Sequence, residues 1–188
     1  IYIFTEGKTE EIYLKHFESK EYNVKVESID SQHTDAVGIV KYAKKYIETM
    51  PLDTGLGDRA YCVFDSDPVS NPNIQEAFDL IRGAARKGLY CIFSNPSFEV
   101  WFILHILCSA PHNLSAKQMK SKLKELLEEV FPDYCETMDI YSWLKDKEEL
   151  AFERARTLHT AQEKIFDRLL SHDCNPYTNI FEFIDYMN

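Results

Sequence analysis

Three carboxylates at the ends of two apolar segments are the residues of this sequence best suited to chemistry. Glu6 follows the apolar run 1–5, and Asp65 and Asp67 follow the run 59–64. Short apolar runs of this kind are typical of strands buried on both faces of a parallel sheet. Because ligands bind beyond the carboxyl ends of such strands, we expect the three carboxylates to meet at one edge of a sheet.

The charge of these carboxylates predicts a divalent cation between them. Clustered carboxylates repel one another unless they are protonated or neutralised by a cation, and oxygen ligands suit Mg²⁺ or Mn²⁺. Asp65 and Asp67 are two residues apart, so in an extended segment their side chains point the same way. Such a pair also commonly ends a strand or caps a helix. The position of Glu6 after a second predicted strand favours the metal site.

Three further polar residues are candidates for a supporting role. Glu99 lies among apolar residues on a helix predicted to start near Pro96, where an ionised carboxylate needs a metal, a metal-bound water, a basic side chain or the helix N-terminus as its partner. Lys8 is a candidate contact for a substrate phosphate, although its position is better explained by a solvated lysine in a first helical turn. Asn95 is a candidate substrate-binding residue and the predicted cap of the helix that starts at Pro96.

The pattern along the first half of the chain predicts an α/β fold. Strand-like runs at 1–5, 24–29, 59–64 and 89–93 alternate with segments whose apolar residues recur at helical spacing. This alternation indicates a mostly parallel four-stranded sheet flanked by helices.

The second half shows no convincing strand and predicts helices, one of them from about 148 to 170. We expect residues 1–95 to form the α/β core. Residues 96–188 are expected to form a helical extension packed on that core within the same domain, because no linker-like segment interrupts the chain.

Charge and cysteine content limit the location and partners of the protein. The net charge of −10 over 188 residues counts against a broad nucleic-acid-binding surface. It does not exclude a nuclease, because metal ions offset carboxylates and a partner can supply basic surface. The five cysteines form no C-x-x-C pair, and no apolar stretch reaches transmembrane length. We therefore expect a cytoplasmic protein with no membrane partner.

The order of these features resembles that of a Toprim domain. That family carries a glutamate after its first strand and a D-x-D motif after its third, which Glu6, Asp65 and Asp67 match. Many members carry a third acidic residue where this chain has Val69. The resemblance therefore leaves fewer metal ligands here, and Glu99 is the candidate that completes the set.

Four segments narrow the resemblance to the RloB-like family of bacterial defence proteins. The most specific is the Ser-Asn-Pro-x-Phe-Glu-x-Trp motif within 94–101. The other three segments lie at 4–10, 63–67 and 175–178.

The resemblance implies a Mg²⁺- or Mn²⁺-dependent Toprim nuclease in anti-phage defence, similar to abortive-infection nucleases. Its substrate would be DNA or RNA, tRNA included, and an ATPase of the ABC or structural-maintenance class would be its partner. Asp65 and Asp67 would hold the metal, and Glu6 would bind a metal or act as general base. Glu99 would be an additional metal ligand, or it would form a hydrogen bond that orients a metal ligand.

Two other functions fit part of the sequence. Residues 63–69 resemble the nucleophile motif of haloacid-dehalogenase-type phosphatases, in which Asp65 would form a phospho-enzyme and Asp67 would be the acid/base. That motif normally lies near the start of its domain, whereas two predicted strands precede it here, and Glu6 would have no role. The other alternative is a non-catalytic docking or sensor subunit with a Toprim-like scaffold.

Overall fold

The secondary structure alternates between strands and helices through the first half of the chain, as predicted. The computed structural model of the protein describes residues 1–18, 23–28 and 35–188. The strands are β1 (Tyr2–Thr5), β2 (Lys25–Ser28), β3 (Ala60–Asp65), β4 (Leu89–Asn95) and β5 (Tyr177–Thr178). The helices are α1 (Lys8–Leu14), α2 (Ala36–Thr49), α3 (Ile74–Ala84), α4 (Glu99–Ile106), α5 (Ala116–Leu127), α6 (Tyr141–Leu144), α7 (Glu148–Glu163) and α8 (Ile180–Met187). Within these described ranges, no helix has both the length and the apolar character needed to cross a bilayer.

The described strands form one five-stranded sheet with the order β2-β1-β3-β4-β5. β1 pairs in parallel with β2 and with β3, whereas β4 and β5 are antiparallel. The α/β class and the mostly parallel sheet are therefore confirmed. The expectation of four strands and no strand in the second half is wrong, because the two residues of β5 are too few to show an alternating pattern. The predicted strand at 24–29 has its last residue, Ile29, outside the described residues.

The chain is divided between two compact units. The first contains Ile1–Phe64 and Pro68–Ile92, and the second contains Asp65–Asp67 and Phe93–Asn188. The main boundary lies within three residues of the one predicted after residue 95. The assignment of Asp65–Asp67 to the second unit was not expected. That the core and the helical extension form one domain stays a prediction.

The first unit is built on strands whose side chains are buried on both faces. Ile3 and Phe4 of β1 are fully buried, as is nearly every residue of β3, which is typical of central parallel strands. α2 and α3 pack on each other through apolar residues at helical spacing. Gly88, before β4, has a φ of 82°, and a side chain there would collide with Thr54. Gly88 is therefore a left-handed C-cap.

The second unit is centred on α4, which packs against α5 and α7. All residues from Glu99 to His105 are buried, as expected for a helix that is apolar on every side. The prediction of a cap at Asn95 with Pro96 in the first turn is wrong. Asn95 is the last residue of β4, its bond to Pro96 is cis, and α4 begins at Glu99.

The long helix of the second unit is shorter than its sequence pattern indicated. α7 ends at Glu163 rather than near residue 170. Beyond that point Ile165 is 69% exposed, so the apolar spacing that suggested a longer helix does not correspond to a buried face.

Candidate active site

Glu6 lies directly after β1, at the edge of the sheet where the sequence predicted it. β1 and β3 are neighbouring parallel strands, with Thr5 paired to Val63. The backbone N–H of Glu6 continues this ladder by donating to the carbonyl oxygen of Val63 over 3.3 Å. The side chain is half-buried. The register of β1 on β3 therefore sets the position of the Glu6 backbone.

Asn71 orients the carboxylate of Glu6 within the first unit. Its Nδ2 donates to Glu6 Oε2 over 3.1 Å, and its Oδ1 accepts from the backbone N–H of Ala36 over 2.6 Å. Asn71 is 1% exposed, so its bond to Ala36 is shielded from water, and its bond to the half-buried Glu6 is partly shielded. One amide thereby connects the start of α2 with the acidic residue at the end of β1.

The Asp65-Ser66-Asp67 segment is held in the second unit through its central residue. The backbone N–H of Ser66 donates to the carbonyl oxygen of Ser94 over 2.8 Å. Nδ1 of His172 lies 2.8 Å from the carbonyl oxygen of Ser66 and 2.9 Å from its Oγ. Because a carbonyl oxygen only accepts, the proton of the His172 ring is on Nδ1. Bonds on both sides of Ser66 fix the backbone between the two aspartates.

Asn95 holds the loop that carries His172. Its Nδ2 donates to the carbonyl oxygens of Ser171 and His172, each over 3.0 Å, and to that of Cys174 over 2.7 Å. Asn95 is 2% exposed, so its amide is committed to the loop. The structure thus gives Asn95 a positioning task, and its contact with substrate stays a prediction.

Asp67 and Glu99 line one cavity of about 740 Å³ in the second unit. Glu99, the first residue of α4, is 2% exposed, and its Oε2 has no hydrogen-bond partner among the residues that the structure describes. Burial raises the pKa of the Glu99 carboxyl, and Ser97 and the charge of Lys120 oppose this only in part. A cation in the cavity would satisfy this buried oxygen.

The same cavity is also lined by basic residues. α5 contributes the side chains of Lys117, Lys120 and Lys124. Lys120 Nζ donates to Glu136 Oε2 over 2.9 Å. Burial by itself would lower the pKa of Lys120, but this hydrogen bond and the charges of Glu99, Glu136 and Asp65 raise it. Lys120 is therefore cationic near neutral pH and partly balances the acidic residues of the second unit.

The donor set on this cavity fits an openly coordinated Mg²⁺. Mg²⁺ is usually held by one or two carboxylates and keeps waters or substrate phosphates in its other positions. Asp67 and Glu99 supply two such carboxylates, and the buried Oε2 of Glu99 has no hydrogen-bond partner in the described part of the chain. Across the described ranges, no three His, Cys, Asp or Glu side chains lie close enough together to hold a metal ion. The described residues therefore do not form a calcium or zinc site with protein ligands alone.

Lys8, the remaining predicted site residue, begins α1. Its Nζ lies 2.6 Å from Glu11 Oε2, and its side chain is 60% exposed. This ion pair with a residue of the same helix accounts for the position of the Lys8 side chain. Contact between Lys8 and a substrate phosphate stays a prediction.

The sequence reasoning missed Asn71, His172 and the lysines of α5. Asn71 is 65 residues from Glu6, and His172 is 106 residues from Ser66, so no local pattern indicated either contact. The lysines did leave a signal, because spacings of three and four residues place them on one helical face.

Comparison with known proteins places the chain in a family over nearly its whole length. Searches of curated proteins and of solved structures find no match. A family model described as RloB-like protein matches residues 1–187, and this range includes every site residue discussed above. The chain belongs to the RloB-like protein family.

Proposed function

We propose that the protein is a metal-dependent nuclease of the Toprim type, which hydrolyses phosphodiester bonds of DNA or RNA. One observation carries this proposal. Asp67 and the buried Glu99, whose Oε2 has no partner among the described residues, line the same cavity as the lysines of α5. Carboxylates that can hold a metal and cations that can bind a phosphate are the two parts that metal-dependent phosphodiester hydrolysis requires.

Each acidic residue has a role in this proposal. Asp67 and Glu99 are the carboxylates that would bind Mg²⁺ or Mn²⁺ at the cavity, and the bonds that hold Ser66 fix the backbone between Asp65 and Asp67. The bound ion would supply Lewis-acid activation of the phosphodiester and stabilise charge on the leaving oxygen. Glu6 either binds metal or accepts the proton of the attacking water. Asn71, which donates to Glu6 Oε2, keeps that carboxylate in one orientation.

The proposal extends to the setting of the protein. Membership of the RloB-like family supports a cytoplasmic role in anti-phage defence beside an ATPase of the ABC or structural-maintenance class. The net charge of −10 supports a partner that supplies additional basic surface to nucleic acid.

The test is cleavage of DNA and RNA pools by the Asp67→Asn variant. The wild-type protein, with Mg²⁺ or Mn²⁺ and its ATPase partner, is expected to cleave at least one pool. D67N is expected to lose about 100-fold or more in rate, because a metal-bound carboxylate is replaced by a neutral amide. Asp146→Asn, at an exposed position on the α6–α7 connection, is the matched control and should cleave like wild type. Equal rates for D67N and wild type would exclude the proposed site.

A further inference from the structure

α5 concentrates positive charge on one side of an acidic protein. The helix holds four lysines and one glutamate, although the chain has a net charge of −10. Lys117, Lys120 and Lys124 follow one another at i, i+3 and i+7, so they share one face of the helix. Met119, Leu123 and Leu127 form the buried face of α5.

Two of the three lysines on the cavity wall have no counter-ion within 1–18, 23–28 and 35–188. Lys120 is bound to Glu136, whereas Lys117 and Lys124 form no ion pair with any residue of the described ranges. Both are exposed at the cavity. Their charge is therefore available to an anion that enters the cavity lined by Asp67 and Glu99.

The distance between these lysines indicates the kind of anion. Seven residues of α-helix rise about 10.5 Å, so the two lysines can contact successive phosphates of an extended anion. Phosphates of a nucleic-acid strand recur about every 3.4 Å along a duplex axis. A phosphodiester chain can therefore place different phosphates on Lys117 and Lys124, with the bond to be cleaved between them.

We propose that Lys117 and Lys124 bind backbone phosphates of a nucleic-acid strand on either side of the phosphodiester that Asp67 and Glu99 receive. The identity of the substrate rests on the proposed function. Phosphate contacts carry no sequence information, so this wall binds DNA and RNA strands irrespective of sequence.

The experiment measures binding in EDTA, where a metal-dependent nuclease leaves the strand intact. The full chain is titrated against fluorescein-labelled single-stranded DNA and RNA of the same sequence, over a range of salt concentrations. For the double variant K117Q/K124Q, the slope of log K against log salt should become shallower by about 1.4, which is two lost phosphate contacts on a single strand. Lys122→Gln is the matched control, because Lys122 lies on the same helix but pairs with Glu125 over 2.8 Å; it should keep the wild-type slope.

The outcomes separate this inference from the proposed function. A wild-type salt slope for K117Q/K124Q, or no binding of either strand by wild type at low salt, overturns the lysine assignment. Lysine-dependent binding by a wild-type protein that cleaves neither strand with metal and ATPase present supports the assignment and excludes the nuclease. A salt slope that depends on the lysines for one strand type alone identifies that strand type as the substrate class. Both lysines are exposed, so unfolding temperatures of the variants should equal that of wild type.

Discussion

At the scale of single residues, Asn71 shows how one buried amide can determine the geometry of a candidate catalytic group. It uses its oxygen on the backbone N–H of Ala36 and its nitrogen on the carboxylate of Glu6. An aspartate at this position would keep the oxygen acceptor but lose the donor. The Asn71→Asp substitution therefore removes the hydrogen bond to Glu6 and keeps the one to the first residue of α2.

Asn71→Asp is expected to destabilise the protein by roughly 2–4 kcal/mol at pH 8. The new carboxylate would lie against that of Glu6 in a site only 1% exposed, and two adjacent carboxylates favour protonation of one of them. The loss should therefore shrink as the pH falls toward 5. Denaturant unfolding of both proteins across this pH range measures it.

Asn73→Asp provides the control for this substitution. Asn73 is exposed, precedes α3 and forms no capping hydrogen bond through its side chain, so a negative charge there is neutral or mildly stabilising. An N71D protein as stable as wild type at pH 8 would show that the bond to Glu6 is not an important constraint.

At the scale of elements, the end of β4 organises the second unit. Asn95 ends that strand and holds the carbonyl oxygens of Ser171, His172 and Cys174. The same loop brings Nδ1 of His172 to Ser66. A strand end, a loop and the segment between two aspartates are thus connected through buried and partly buried hydrogen bonds.

Asn95→Asp should destabilise the second unit by roughly 2–4 kcal/mol. The substitution is nearly isosteric, but it replaces the donor with an oxygen that faces three carbonyl oxygens, so several buried acceptors lose their partner. Hydrogen exchange of the amides in 171–175 should accelerate more than exchange in α5. Asn113→Asp, at an exposed loop position of the same unit, should change neither quantity. Unchanged exchange in 171–175 for N95D would contradict the positioning role.

At the scale of the whole molecule, the buried Glu99 connects folding stability to pH and to metal. Burial raises the pKa of its carboxyl above the ordinary value of 4.5. The folded state therefore binds this proton more tightly than the unfolded chain does. The corresponding stability is complete below about pH 4.5 and is lost as the pH rises through the folded-state pKa.

Glu99→Gln should flatten the dependence of unfolding free energy on pH above 4.5, because the amide does not titrate. In EDTA at pH 8 the variant should be at least as stable as wild type. Added Mg²⁺ should stabilise wild type by about 2.7 kcal/mol at 100 times its Kd and should stabilise E99Q less. Thermal and denaturant unfolding with and without Mg²⁺ measure both effects.

Glu129→Gln is the control for this prediction, because Glu129 is exposed and no carboxylate role is assigned to it. Equal stabilisation of E99Q and wild type by Mg²⁺ would remove Glu99 from the metal site. The buried Oε2 of Glu99 would then need a partner other than a metal ion.

The α/β class, the place of Glu6 after β1 and the place of Asp65 and Asp67 at the end of β3 were predictable, because apolar runs and helical spacing are properties of neighbouring residues. β5 was not, since two residues show no period. The start of α4 at Glu99 was missed because an Asn-Pro pair is compatible both with a helix cap and with a strand end.

Sequence alone therefore determined which side chains lie at strand ends and on helix faces, and with them the chemical character of the candidate site. Only the tertiary structure decided that Asp67 and Glu99 share a cavity with the lysines of α5, that Asn71 bonds to Glu6, and that His172 reaches Ser66. The physical reason is the sequence separation between the interacting residues. Local periodicity acts over a few residues, whereas these contacts join segments up to 106 residues apart and exist only once the packed core has brought those segments together.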